Sequence, residues 1–494
     1  MIYKKRKNFI ILQAVVFLIG LLMSYTTDLS SEYKFILAYS IFNLLSYGWL
    51  FIQEMKYAPD FHPYQVLALI SAQFIGMNGI SIYTDLAKGE TLYFGASPIN
   101  HCLYLGILFL ALQHLILFAV FFVFERKHSK ENEIKFADRI MRSRIGYGKW
   151  AIRSYVAVWV VRGLSFFISL GSISALLVNF ANFGHLLTLY LIVFAMIKSP
   201  DSTRYKHIHW IIVALEIVLV INHGMKEEII RTLVPYCMYL LIMYKAGYQK
   251  INSRMITSIF LVGSFVVGFV FPYVSITRSI SLRTGNLWSE IPVSQVFDEY
   301  LMYVGKEGVY AHDDEKRGAG YLMSRAGSIG CNAWSVDHAR TEGTEPLYLA
   351  YCASAMIPRI IWRDKPKVVT GAIAYSLVNG ESNWANTTVD EEQATSISLG
   401  FVGSCYLCLG LVGGIMYMCF ISWFIWFVWN VCRKKMTYNF IILWAFISFV
   451  AVLLKDFEGF HDCGINFLVF NTIYIILCEF VVKMNNSRIT ANEL

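Results

Sequence analysis

The sequence carries little charge for its length. Only 15% of its 494 residues are Asp, Glu, Lys or Arg, whereas a soluble domain carries about 25%. Hydrophobic residues make up 56% of the chain, and aromatic residues alone make up 16%. Because so few charged residues cannot cover a water-facing surface of this size, lipid must cover much of the exterior.

Further absences exclude several classes of function. The chain has no Walker A motif, no GxGxxG string at the start of a helix and no internal repeat of the kind found in many transporters. Cys405 and Cys408 form a CxxC pair, but they lie in an apolar, glycine-rich run with no second pair. The net charge of +8 does not indicate nucleic acid, because the basic residues occupy short loops between apolar runs. We expect no metal, no cofactor and no nucleic-acid partner.

Apolar runs of the length that crosses a bilayer, roughly 18 residues or more, recur along the whole chain. They are continuous rather than alternating, which favours helices over the strands of a barrel. The sequence therefore predicts an all-α, polytopic integral membrane protein with about twelve transmembrane helices. The predicted spans are 9–26, 34–54, 63–83, 102–124, 150–171, 180–198, 208–222, 228–245, 255–275, 399–431, 438–455 and 464–482.

The distribution of Lys and Arg predicts the orientation of these spans. The basic residues concentrate in the N-terminal Lys4–Lys7 stretch and in alternate loops, above all in 125–149. The positive-inside rule places such loops in the cytoplasm. We therefore predict that both termini are cytoplasmic, that 1–275 holds the first nine transmembrane helices and 397–494 the last three, and that 276–396 is one long external segment.

The external segment mixes acidic and basic residues and also contains apolar stretches. One such stretch, 347–361, is bounded by Pro346 and Pro358. It is too short to span a membrane, so it predicts a short packed or interfacial helix. The segment as a whole is too long and too aromatic for a structureless loop, and we expect it to be ordered.

Cationic side chains collect in this segment and beside the predicted external ends of the spans. Guanidinium groups suit phosphate because they donate hydrogen bonds in a planar fork, so such a cluster would hold an anionic lipid headgroup such as a pyrophosphate. The alternative is that they are ordinary surface charges that satisfy acidic neighbours. The candidates are Lys226, Arg231, Arg278, Arg283, Arg325, Arg359, Arg363 and Lys365.

Several polar residues fall within predicted spans, where such residues are costly and usually face the protein interior. For Arg162 and Glu216 two interpretations stand: a structural ion pair, or a contact of Arg162 to the lipid phosphate. His114, next to Gln113, predicts a hydrogen bond between helices.

The string Ile-Pro-Arg-Ile-Ile-Trp-Arg-Asp-Lys-Pro at 357–366 resembles the signature of bacterial oligosaccharide repeat-unit polymerases, the Wzy-like O-antigen polymerase family. The stretch 395–413, with its spaced glycines, is similar to a second motif of that family, and 224–228 is similar to a third. Lys226 stands where the family usually has Arg, and Arg363 where it often has Pro. Many spans with one large late external segment are also typical of this family, which implies a GT-C-like architecture.

The resemblance implies a metal-independent membrane glycosyltransferase in the bacterial inner (plasma) membrane. It would polymerise undecaprenyl-pyrophosphate-linked oligosaccharide repeat units at the periplasmic face, with the lipid pyrophosphate as leaving group. Its partners would be the lipid-linked glycan donor and acceptor, membrane lipid and a chain-length regulator protein. Two alternatives stay open, namely a lipid-linked oligosaccharide flippase and an O-antigen ligase.

Such a transfer needs cations that stabilise the departing pyrophosphate and a base for the acceptor hydroxyl. Arg359 and Lys365 match the family signature and are the first candidates for pyrophosphate contacts, with Arg278, Arg325 and Lys226 next. His338 is the most attractive base by its chemistry, although an exposed loop histidine is the plainer interpretation. Its rivals are His312 with Asp313, and the acidic turn with His461 at 456–462.

Overall fold

Helices account for nearly all of the chain that the structure describes. In this computed structural model the described residues are 2–26, 32–58, 62–89, 91–94, 97–125, 147–167, 188, 191–192, 195–196, 202–223, 244, 253, 257, 261, 263–284, 291–305, 329–355, 362 and 399–435. Within these ranges the only strands are β1 (Tyr93–Phe94) and β2 (Ser97–Pro98), which pair antiparallel.

The α-helices of the described ranges are α1 (Ile2–Thr26), α2 (Glu32–Tyr57), α3 (Pro63–Ser71), α4 (Asn78–Ala87), α5 (Leu103–Glu125), α6 (Tyr147–Phe167), α7 (Ser202–His223), α8 (Phe271–Thr284), α9 (Val293–Gly305), α10 (Ile329–Thr341), α11 (Pro346–Ala355) and α12 (Phe401–Lys435). A π-helical turn, Ala72–Met77, joins α3 to α4, and another, Val266–Val270, precedes α8. A 3₁₀ turn, Asn100–Cys102, leads into α5.

By length and composition, five helical segments can cross a membrane: Ile2–Ser24, Tyr33–Tyr57, Pro63–Ala87, Asn100–Glu125 and Phe401–Asn430. The protein is therefore a helical membrane protein with several membrane-embedded helices. The count of twelve spans and the cytoplasmic termini stay predictions.

These five segments coincide with five of the predicted spans, with one change at the N-terminus. The first helix begins at Ile2 rather than at residue 9, because the basic stretch continues the helix. The spans predicted at 150–171 and 208–222 fall on α6 and α7, which are not among the five. Part of the span predicted at 255–275 is described as a shorter apolar helix, Gly263–Val274. The spans predicted at 180–198, 228–245, 438–455 and 464–482 lie outside the described residues, apart from isolated positions.

The first four of these segments pack into a bundle with an aromatic core. Phe9 and Tyr47 both contact the Phe118 ring, with centroids 5.6 Å away in each case. Tyr64 joins them, and its hydroxyl donates to the Phe118 carbonyl at 3.0 Å. The predicted hydrogen bond of His114 is confirmed, because its Nδ1 lies 2.5 Å from the Ser71 hydroxyl oxygen of a neighbouring helix. Such polar pairs between helices help to fix one packing arrangement in a membrane.

One end of this bundle contains a largely buried group of ionisable residues, named here the Arg6 end and made of Arg6, Glu54, His62 and Glu125. The Arg6 guanidinium donates two hydrogen bonds to Glu54, at 2.7 and 2.8 Å, and a third to Glu125 at 2.9 Å. The His62 ring contacts the other Glu125 oxygen. The group therefore joins the start of α1 to the ends of α2 and α5 and to the start of α3.

The long helix α12 is bent, and glycines lie at both places where its backbone turns. Gly410 has a φ of 67° inside the helix, and Gly400 has a φ of 74° just before it. Both values lie in the left-handed region that glycine adopts without steric cost. The chain therefore turns sharply into α12 and bends again roughly three helical turns later.

Two helix pairs complete the described structure. In α6 and α7, Arg162 donates to both carboxylate oxygens of Glu216, at 3.1 and 3.3 Å. In α8 and α9, a small apolar cluster includes Ile280 and Val296, and the Tyr300 hydroxyl donates to the Gly268 carbonyl at 3.1 Å. Of the two interpretations of Arg162, the ion pair with Glu216 is the one that the structure contains.

Candidate functional site

Helix α10, which comes from the middle of the predicted external segment, packs against the bundle. Its face of Ile329, Ala333 and Val336 is buried, as are Asn332 and Ser335. It lies against the beginning of α5 and the beginning of α12. This part of the segment is therefore a packed element of the fold and not a solvated loop.

Three glycines allow this close approach. A Cβ at Gly106 of α5 would lie 2.2 Å from the Ile329 carbonyl oxygen, and one at Gly403 of α12 would lie 2.8 Å from the Asn332 Cα. No side chain larger than hydrogen fits at such separations without a backbone shift. A Cβ at Gly400 would likewise lie 2.4 Å from the Asn332 amide oxygen. The glycine spacing at the start of α12 therefore serves helix packing.

Two buried hydrogen bonds hold α10 in register with α12. The Asn332 side-chain oxygen accepts from the Gly403 backbone N–H at 2.7 Å. The Ser335 hydroxyl donates to the Leu399 carbonyl at 3.2 Å. These bonds satisfy backbone groups at the start of α12, which would otherwise be left without intrahelical partners.

The last two turns of α10 and the 3₁₀ turn before α5 carry a group of polar side chains, named here the Asp337 end and made of His101, Asp337, His338 and Arg340. The Asp337 carboxylate lies 2.9 Å from Nε2 of His101, which belongs to the 3₁₀ turn before α5. The His101 side chain is 57% exposed and the Asp337 side chain 21%. The Asp337 end is therefore open to solvent or to a ligand.

His338 lies on a helix and not in a loop, which corrects the plainer interpretation of this residue. Its ring stacks on Trp334, with centroids 5.3 Å apart and an angle of 25° between the planes. This burial lowers the pKa of His338, and the nearby acids Glu345, Glu342 and Asp337 only partly oppose it. The imidazole is therefore favoured in its neutral form, which can accept a proton.

Arg340 is a cation of this group that the sequence interpretation did not select. It is exposed, and a hydrogen bond with the Tyr104 hydroxyl raises the pKa of Arg340 further, helped by the charge of Asp337. The side chain therefore stays charged and is held over the beginning of α5. The sequence signal for Arg340 was its position three residues after Asp337, which places the two side chains on the same face of a helix.

Two side chains of the Asp337 end and a neighbouring cysteine match the donor types of a metal site. The Nε2 of His101, the Sγ of Cys102 and a carboxylate oxygen of Asp337 all lie within 4.8 Å of one another. The sequence interpretation missed this set because Asp337 is more than 230 positions away from His101 and Cys102. His101 was also hidden at the start of an apolar run.

The remaining predicted site residues are not brought to this group by the described structure. Arg278 and Arg283 lie on α8, which continues through the predicted boundary at 275 to Thr284, and the placement of their side chains lies outside the description. Arg162 is paired with Glu216 on other helices. The other candidates lie outside the described residues: Lys226, Arg231, His312, Asp313, Arg325, Arg359, Arg363, Lys365 and the turn at 456–462.

No family model, no curated protein and no solved structure matches this chain. The class of the protein therefore follows from its fold alone. It is a helical membrane protein in which a polar helix, α10, packs against the ends of two long apolar helices, α5 and α12.

Proposed function

We propose that this protein is a membrane glycosyltransferase that polymerises undecaprenyl-pyrophosphate-linked oligosaccharide repeat units at the periplasmic face of the bacterial inner membrane. The observation that carries the proposal is the packing of α10 against α5 and α12, which holds Asp337, His338 and Arg340 together at one end of the bundle. The resemblance of 357–366 to the polymerase signature supplies the substrate class.

The proposed transfer breaks the bond between the anomeric carbon of the donor sugar and the pyrophosphate oxygen. A hydroxyl of the acceptor repeat unit forms the new bond to that carbon and loses its proton. The undecaprenyl pyrophosphate departs as an anion. The site must therefore supply one base and several fixed cations.

His338 is the proposed base, since its ring is half-buried, held by Trp334 and favoured in the neutral form. Arg340 is proposed as one of the cations, because it is exposed and held by Tyr104. Arg359 and Lys365, in the polymerase-like signature, are proposed to contact the pyrophosphate, with Arg278, Arg283, Arg325, Lys226 and Arg231 as further binding residues. Arg162 is a weaker candidate because Glu216 already neutralises it.

Deleting the gene in its host and separating the surface polysaccharide on a gel tests the function. A polymerase predicts single repeat units attached to the acceptor core, with the ladder of longer chains gone. Loss of all surface glycan, with lipid-linked repeat units trapped inside the cell, would instead identify a flippase. Long chains that accumulate on the lipid carrier would identify a ligase.

Variants in the deletion strain test the site. Arg359→Ala and His338→Ala should each abolish the ladder while the protein remains in the membrane at the wild-type level. Arg204→Ala and His207→Ala are matched controls, because both residues are exposed on α7, and both should keep the ladder. A normal ladder from His338→Ala would remove His338 from the mechanism, and one from Arg359→Ala would remove Arg359.

A further inference from the structure

A histidine, a cysteine and an aspartate meet where α10 lies beside the start of α5. His101 and Cys102 are consecutive in the 3₁₀ turn Asn100–Cys102, and Asp337 comes from the third turn of α10. Their donor atoms all lie within 4.8 Å of one another, and the closest pair, His101 Nε2 and Asp337 Oδ2, is 2.9 Å apart.

This donor set suits one class of ion. An imidazole nitrogen, a thiolate sulfur and a carboxylate oxygen are the three ligand types that zinc accepts in proteins, usually with tetrahedral geometry. Calcium and magnesium prefer oxygen ligands alone, so the cysteine argues against them. Three protein ligands leave a fourth position for water.

The geometry requires only a small adjustment to hold such an ion. Zinc lies about 2.0–2.3 Å from its ligands, so its donor atoms are separated by roughly 3–4 Å. The His101 side chain is more than half exposed and can turn away from Asp337 to admit the ion. Cys102, by contrast, is buried, and its thiol contacts the Ile99 carbonyl at 3.3 Å, so its position is fixed by the turn.

The two elements that carry the ligands are already held together by packing. Gly106, one helical turn after Cys102, meets the backbone of Ile329 and the side chain of Ala333. The ion would therefore bind between surfaces whose separation does not depend on it, which reduces the ordering that binding requires.

We propose that His101, Cys102 and Asp337 bind a divalent zinc-type metal ion, which fastens α10 to the beginning of α5. Binding replaces the hydrogen bond between His101 and Asp337 and releases the thiol proton of Cys102 to solvent. The ion would position α10, and its three ligands are distinct from the base and the cations of the glycosyl transfer proposed above.

Cobalt binding to the purified full-length protein tests the site. The protein in detergent is first freed of metal with a chelator and then titrated with Co²⁺, which reports a thiolate ligand through a near-ultraviolet charge-transfer band. The wild type should show this band and should bind one more equivalent of Co²⁺ than Cys102→Ser or Asp337→Asn does. Added Zn²⁺ should displace the Co²⁺ and remove the band. Cys331→Ser is the matched control, because Cys331 lies on α10 outside the set, and it should bind as the wild type does.

Thermal unfolding provides a second readout that does not depend on the buried cysteine. Added Zn²⁺ should raise the melting temperature of the wild type and of Cys331→Ser, because an ion that binds the folded state stabilises it. His101→Ala changes an exposed side chain, so this variant should fold. Its affinity for Zn²⁺ should be at least tenfold weaker than that of the wild type, so added Zn²⁺ should raise its melting temperature less. Equal Co²⁺ uptake and equal Zn²⁺ response in the wild type and His101→Ala would overturn the proposal.

Discussion

The two ends of the helix that runs from Asn100 to Glu125 carry charged side chains in opposite settings. The ends are roughly 36 Å apart at 1.5 Å per residue. At the Arg6 end, Arg6 is 5% exposed and Glu54 is fully buried, and the guanidinium makes three hydrogen bonds to carboxylates. At the Asp337 end, His101 and Arg340 are exposed, and the contact between His101 and Asp337 is partly open to solvent.

This difference separates a structural role from a chemical one. A largely buried group, whose guanidinium makes three hydrogen bonds to carboxylates, joins four helix termini and has little exposure for binding a substrate. An exposed group on a firmly packed helix can do so, because its scaffold is rigid while its side chains are accessible. The Arg6 end should therefore control stability, and the Asp337 end should control function.

The largest expected effect comes from removing one charge of the Arg6 end. Glu54→Leu leaves the buried guanidinium without the partner that accepts two of its hydrogen bonds, and loss of one partner from a buried ion pair costs about 3–5 kcal/mol. The variant should lower the free energy of unfolding in detergent by that amount. Lys7→Met is the matched control, since Lys7 is exposed on the same helix, and it should unfold as the wild type does.

A double variant sharpens the same prediction. Arg6→Met combined with Glu54→Leu removes the two strongest partners together, so it should recover part of the stability that Glu54→Leu loses. If Glu54→Leu alone unfolds with the wild-type free energy, the Arg6 end does not hold the bundle together.

The next effect concerns the packing of α10. Gly106→Ala would place a methyl group 2.2 Å from the Ile329 carbonyl oxygen, so α10 must move away, at a cost of about 1–3 kcal/mol. Hydrogen exchange of the α10 amides should become faster, while exchange near the Arg6 end stays unchanged. Gly48→Ala is the control, because a Cβ at Gly48 meets no atom within 4 Å. Unchanged α10 exchange in Gly106→Ala would contradict the packing described for this helix.

Much of the bundle follows from the sequence, whereas the contacts at its two ends do not. Continuous apolar runs were sufficient to predict the helices α2, α5 and α12, and a polar side chain inside such a run was sufficient to predict the hydrogen bond of His114 between helices. The role of Arg6 was not predictable, because a basic N-terminal stretch normally indicates orientation, and its partners are 48 and 119 positions away.

The candidate site was predicted in part, for a related reason. His338 stood out by residue type, but its stacking on Trp334 depends on the helical conformation of α10. His101 could not be connected with Asp337, because 236 positions separate them and no motif links the two stretches. The packing of α10 depends on glycines of α5 and α12. Their role in packing could not be predicted, because the residues that they contact, Ile329 and Asn332, are distant in the sequence.

A smaller effect on stability is expected at the Asp337 end. In metal-free protein, Asp337→Asn should change the free energy of unfolding by no more than about 1 kcal/mol, because exposed ion pairs contribute about 0–1 kcal/mol. Chemical unfolding in detergent, measured beside Glu54→Leu, makes the comparison direct. A loss as large as that of Glu54→Leu would show that both ends are structural and would remove the distinction drawn above.

The smallest effect on stability, and the clearest test of function, is expected for Arg340. Arg340→Gln replaces an exposed cation, and a surface substitution of this kind stays within about 0.5 kcal/mol. If the Asp337 end binds the lipid pyrophosphate, the same variant should shorten the polysaccharide ladder in the deletion strain, because one of the cations that stabilise the leaving group is lost.

Arg340→Lys keeps the charge but not the planar fork, so it should give an intermediate ladder. Arg153→Gln, an exposed arginine of α6, should leave the ladder unchanged. A full ladder from Arg340→Gln would place the pyrophosphate contacts elsewhere, at Arg359 and Lys365, and would leave α10 with the base alone.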